Sequence, residues 1–256
     1  MGTRFDARRI AGYAAALALA FGWGAPAGAQ TAVDLQLVLA VDASGSVDYT
    51  RFELQKRGYA SAFRNRQVLE AIQSGPTASI AVTMVQWTGP SLQVQVIPWT
   101  VLKDAASVDA MAALVDATPR RLFGGGTSIS GAIDNAMALF PKSPFKGARR
   151  TIDVSGDGSN NSGRSVTRAR DDAVSSDVVI NGLPILALEP YLDEYYKDNV
   201  IGGPGAFVIA AESFDTFADA ILKKMILEIA TNDRLPPHVL RQARTWSLEI
   251  GAQAKR

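Results

Sequence analysis

Three oxygen-bearing side chains stand at alternate positions in "DASGS": Asp42, Ser44 and Ser46, directly after the apolar run "LVLAV" at 37–41. A chain still extended there turns alternate side chains the same way, so one carboxylate and two hydroxyls share one space. Two further polar loops offer oxygen: "GGGTS" at 124–128 carries Thr127, and "SGDGSNN" at 155–161 carries Asp157. Carboxylates and hydroxyls without thiolate or imidazole form a donor set for a hard cation, with water completing an octahedron. Mg²⁺ is the first choice for Asp42, Ser44, Ser46, Thr127 and Asp157, and Mn²⁺ or Ca²⁺ are the alternatives.

The same residues have plainer uses. "DASGS" also reads as a strand-to-helix turn in which Ser46 or Asp48 caps the following helix. "FGGGTS" resembles a phosphate cradle, but the lysine of a P-loop is absent, and glycines that let Thr127 approach a metal explain the loop equally well. Asn160 and Asn161 read as turn residues, and Trp87 and Trp99 as residues closing a core or a sheet edge.

The elements around these loops must bring them together. "LQLVLAV" (35–41) and "SIAVTMVQW" (79–87) are continuous apolar runs of the kind found in strands buried on both faces. "LQVQVIPW" (92–99) alternates and contains Pro98, which marks an antiparallel edge strand in a hairpin. Strands are also expected at "RRTIDVS", at 180–189 and at 206–211. Helical spacing is expected over 48–73, 105–116, 128–140, 164–175, 191–199 and 213–230. The alternation predicts an α/β fold: a doubly wound, mostly parallel, Rossmann-like sheet of about six strands with helices on both faces. In such sheets ligands sit outside the carboxyl ends of the strands, and all three polar loops lie at such ends.

Taken together, Asp-x-Ser-x-Ser at 42–46, Thr127 after "GGG" and Asp157 in "SGDG" resemble the metal-ion-dependent adhesion site (MIDAS) of von Willebrand factor type A (vWA) domains. The resemblance covers about residues 34 to 230, and "DVSGDG" is similar to a segment of exported bacterial A-domain proteins of unknown function. It implies that Ser44, Ser46 and Thr127 touch the metal directly, whereas Asp42 and Asp157 act mostly through bound water. A physical reason supports such an arrangement. Neutral hydroxyls withdraw little charge from the cation, which then accepts one more oxygen, best a partner's Asp or Glu carboxylate.

Composition narrows the function classes. Twenty-six Lys and Arg balance 25 Asp and Glu, so no basic excess points to nucleic acid. The sequence has no Cys, which excludes disulfides, thiolate metal sites and a Cys nucleophile. Arg4, Arg8 and Arg9 precede an apolar stretch broken by Gly22, Gly24 and Pro26, and Ala27-Gly28-Ala29 supplies a cleavage site. Residues 1–29 are therefore expected to be a signal peptide, 30–33 a short linker and 231–256 a C-terminal tail of a periplasmic or secreted protein without stable membrane insertion.

The leading expectation is a non-enzymatic, divalent-cation-dependent protein-binding module. A metal-dependent hydrolase and a structural subunit of an envelope assembly are the alternatives. A hydrolase needs a base near the metal, yet the one histidine, His238, lies in the tail, and no G-x-S-x-G elbow occurs.

Overall fold

The computed structural model describes residues 30–230 and, beyond them, Pro237, Arg241 and Thr245. The leader expected over 1–29, His238 and most of the expected tail lie outside the described residues.

The apolar run that precedes "DASGS" becomes β1 (Thr31–Asp42), the middle strand of the sheet. It pairs in parallel with β2 (Ile80–Trp87) on one side and β4 (Phe145–Gly156) on the other. Beyond β2 lies the antiparallel edge strand β3 (Gln93–Leu102), and beyond β4 the parallel strand β5 (Val179–Pro184), giving the order β3-β2-β1-β4-β5. The middle position accounts for the apolar run. Leu35, Leu37, Leu39 and Val41 enter the core on one face of the sheet, and Val38 and Ala40 the core on the other. Each large side chain so buried contributes roughly 1.5–3 kcal/mol.

The helices are α1 (Tyr49–Arg64), α2 (Arg66–Gln73), α3 (Ala105–Ala117), α4 (Ile129–Leu139), α5 (Val166–Ser175), α6 (Leu192–Tyr195) and α7 (Phe217–Ile229). Phe52, Val68, Val108 and Phe217 place α1, α2, α3 and α7 on one face. Ile129, Val166 and Leu192 place α4, α5 and α6 on the other. The helix expected over 48–73 is divided at Asn65, whose backbone is extended (φ −75°, ψ 128°) and whose side chain caps α2 by accepting from Gln67 N at 2.9 Å. Side-chain caps of this kind satisfy N–H groups that a helix start leaves free.

The sheet has five strands, one fewer than expected. Residues 206–211 do run beside β5, with Gly182 N donating to Phe207 O, Ile209 N to Gly182 O, Ala211 N to Pro184 O and Leu186 N to Ala211 O. A parallel ladder would next need an N–H from residue 184 to Ile209 O, and proline has none. The pairing is thus reduced to isolated bridges.

Candidate metal centre

β1 delivers Asp42 to the carboxyl edge of the sheet, and its register with β4, Val41 opposite Ser155, brings the "SGDG" loop alongside. Asp48 caps α1 by accepting from Arg51 N at 2.8 Å, which ends the first loop and leaves Ser46 free of capping. The glycine loop is fastened to both neighbours: Ser128 N donates to Thr88 O at 2.8 Å, and Gly45 N to Gly125 O at 3.4 Å. Gly125 has φ +91°, and a Cβ there would stand 3.0 Å from Thr88 Oγ1, so this tight approach is open to glycine. Gly156 is required for a different reason: its Cβ would lie 2.9 Å from Asp42 Oδ2 and 3.1 Å from Tyr196 Oη.

Four of the five expected residues are linked by direct contacts. Ser44 N donates to Asp42 Oδ1 at 2.7 Å, the Ser44 and Ser46 hydroxyls are 3.1 Å apart, and Ser46 Oγ donates to Asp157 Oδ1 at 2.5 Å. Thr127 lies next to this group: a Cβ on Gly158, which adjoins Asp157, would be 3.5 Å from Thr127 Oγ1. Asn161 fixes Thr127 at both ends of its peptide: Asn161 Oδ1 accepts from Thr127 N at 2.8 Å, and Asn161 N donates to Thr127 O at 2.9 Å. Asn160 Oδ1 likewise accepts from Ser130 N at 3.0 Å. The two asparagines therefore tie the third loop to the second, a larger part than that of turn residues.

The donor set fits a divalent cation. All five side chains present oxygen, and Asp42 Oδ2 and Asp157 Oδ2 are buried without a hydrogen-bond partner. Unpartnered buried carboxylate oxygens are costly unless a cation or proton meets them. Burial, with nearby Asp157 adding to it, raises the Asp42 carboxyl to about 7, against the hydrogen bond from Ser44 N. Asp157 is also raised by burial, offset by Ser46 and by Arg51.

This gives a pH prediction. A carboxyl whose pKa is higher in the fold than in the unfolded chain stabilises below the unfolded value of 3.8, and that contribution is lost as pH rises to about 7. In EDTA, the melting temperature is therefore expected to be lower at pH 7.5 than at pH 5.5. A cation must displace that proton, so Mg²⁺ should raise the melting temperature more at pH 7.5. Equal Mg²⁺ increments at both pH values would show that Asp42 is not the group it deprotonates.

Several residues at the site carry no signal in sequence spacing. Arg51 Nη1 donates to Ser46 O at 2.7 Å and lies 3.7 Å from Asp157 Oδ2. Arg120 Nη2 donates to Ala43 O at 3.0 Å and Ser44 O at 3.1 Å, clamping the first loop. Glu189 Oε1 accepts from Ser159 N at 3.0 Å and approaches Gly158 from the loop after β5. Contacts at these separations arise from the fold, and only the i,i+5 offset of Ser46 and Arg51 is visible locally.

Comparison with solved structures gives the same fold. Proximal thread matrix protein 1 from the mussel byssus matches with a TM-score of 0.54 and 20% identity, over 76% of this chain and 46% of that one. A von Willebrand factor type A protein from Catenulispora acidiphila matches with 0.52 and 18%, over 77% and 43%. The pilus adhesin SpaC from Lactobacillus rhamnosus GG matches with 0.56 and 14%, over 77% and 31%. The chain thus spans less than half the length of each of these three. Another structure of the mussel protein has zinc in that protein's MIDAS motif. No curated protein matches the sequence. The model of one family matches residues 32–233. The fold is that of a von Willebrand factor type A domain, and the chain belongs to the family described as protein of unknown function DUF1194.

Proposed function

We propose that the chain is an exported, non-enzymatic protein-binding module in which Asp42, Ser44, Ser46, Thr127 and Asp157 hold a divalent cation, Mg²⁺ first, that captures an acidic residue of a partner. One observation carries this reading: two buried carboxylates, each with an oxygen that accepts no hydrogen bond, converge with the Ser44 and Ser46 hydroxyls in one cluster of oxygen donors. Asp42 orients the first loop through Ser44 N, and Asp157 orients the Ser46 hydroxyl. The bound cation supplies a Lewis acid able to take a further oxygen. Zinc in the MIDAS motif of the mussel byssus protein, and the adhesin role of the pilus protein, support the reading by analogy of fold. The test is recovery of exported or membrane proteins on the immobilised chain in Mg²⁺ and in EDTA. Partners retained equally in EDTA would refute capture through the metal.

Export has its own test. No helix among the described residues is long and apolar enough to cross a membrane. Intact mass of the exported protein is expected to give an N-terminus at Gln30, and retention of residues 1–29 would replace the signal peptide with an anchor.

A further inference from the structure

Large apolar side chains are unevenly exposed on this molecule. Among the described residues, those exposed are Tyr49, Leu92, Leu114, Phe123, Leu188 and Tyr191. All but Leu114, which is on α3, belong to loops or helix starts at the carboxyl edge of the sheet, where the oxygen cluster lies. Tyr49 opens α1 three residues after Ser46; Phe123 precedes Gly124; Leu188 and Tyr191 flank Glu189, which is bonded to Ser159 beside Asp157. Exposed apolar residues scattered singly need no explanation, but residues gathered around one polar centre mark an interface.

Three of these residues, all aromatic, have fixed surroundings or a fixed backbone. Phe123, 75% exposed, lies under the Arg120 guanidinium at 5.2 Å from the ring centre, and that guanidinium is itself fixed by Ala43 O, Ser44 O and Leu122 O. Tyr191, also 75% exposed, is held through its carbonyl, which accepts from Tyr195 N at 3.2 Å. Tyr49 is the first residue of a helix capped by Asp48. A rigid aromatic gives up little entropy when a partner covers it.

Charge around the cluster is divided. Arg51 and Arg120 are bonded to the first loop, whereas Glu189 brings a carboxylate to the third, where its Oε1 accepts from Ser159 N. A second acid on the partner would meet Glu189 and be repelled.

We infer that the partner is a protein surface presenting one isolated Asp or Glu set among apolar side chains, with Tyr49, Phe123, Leu188 and Tyr191 forming a collar that packs on those side chains while the acid reaches the cation site. The inference rests on the cation reading proposed above and specifies its partner. The collar excludes water around the carboxylate bond, which strengthens that bond in a drier surround.

The test is selection of a random dodecapeptide phage library on residues 30–256 in Mg²⁺, with elution by EDTA. Selected peptides are expected to carry a single Asp or Glu flanked by Leu, Ile, Phe or Trp. Phe123→Ser with Tyr191→Ser should weaken the best synthetic peptide by about 30-fold or more, with Mg²⁺ affinity unchanged in calorimetry. Enrichment of polyacidic peptides, or undiminished peptide binding by the double variant, would overturn the collar. Absence of Mg²⁺ binding by the wild-type chain would instead overturn the cation reading. Two other results would also overturn the proposed partner: Mg²⁺-independent sedimentation with phosphatidylcholine–phosphatidylglycerol vesicles, or Mg²⁺-dependent dimerisation lost in the double variant.

Discussion

Ser44→Ala combined with Ser46→Ala is expected to lower Mg²⁺ affinity by about 100-fold or more, because it removes two candidate ligands where loss of an outer-shell partner alone costs 10–100-fold. The fold should survive. Ser44 and Ser46 lie beyond the end of β1, and the contacts they lose include their mutual approach at 3.1 Å, the Ser44 hydroxyl interaction with Asp42 and the Ser46 bond to Asp157. The Ser44 N bond to Asp42 is made by the backbone and persists in alanine. One side-chain hydrogen bond is worth about 1 kcal/mol. Far-ultraviolet circular dichroism should therefore match the wild type while calorimetry detects little heat on adding Mg²⁺. Wild-type affinity in the double variant would remove both hydroxyls from the ligand set.

Lys224→Met is expected to cost about 3–5 kcal/mol at pH 7.5, the range for leaving a buried charge unpaired. Lys224 is wholly buried on α7, with Nζ 2.6 Å from Asp153 Oδ1 and paired also with Glu228, whose Oε1 accepts from Asn181 Nδ2 at 3.0 Å. Two carboxylates and one ammonium occupy this dry space, and burial together with Glu228 raises Asp153 to about 7 despite Lys224. Without the ammonium, the burial that raises Asp153 acts unopposed, so the folded chain holds that proton more tightly and the loss becomes smaller as pH falls toward the unfolded value. Urea denaturation should show a smaller deficit at pH 5 than at pH 7.5, and adding Asp153→Asn and Glu228→Gln should recover most of it. A deficit independent of pH would show that packing, not charge, is at stake.

How far the sequence reveals these features depends on how local their cause is. The three site loops are legible because each follows a strand or opens a helix, and a parallel sheet must collect such loops at one edge. Asp48 is legible as a cap for the same local reason. The break at Asn65 is not, because apolar residues continue on both sides of it, at Phe63 and Val68, while the side chain of Asn65 restarts the helix. Pro184 does lie in the expected strand 180–189, and its effect on the neighbouring segment appears only once that segment is placed beside it. The buried stripe of α7 runs through 217, 220, 221, 224, 225 and 228, so the spacing does pass through Lys224 and Glu228. Their identity as an i,i+4 charge pair argues for a solvated face, and Asp153, distant in sequence, decides otherwise. Arg120 and Glu189 are equally invisible, since their bonds to the first and third loops depend on tertiary placement.

The proposed binding function depends on one divalent cation sitting within the oxygen cluster at the carboxyl edge of β1. Anomalous diffraction from crystals of residues 30–256 soaked in Mn²⁺ would locate it. One dominant peak is expected in bonding contact with Ser44 Oγ and Ser46 Oγ, with Asp42, Thr127 and Asp157 around it. No peak there at saturating Mn²⁺, or a dominant peak elsewhere on the chain, would rule out this cation site.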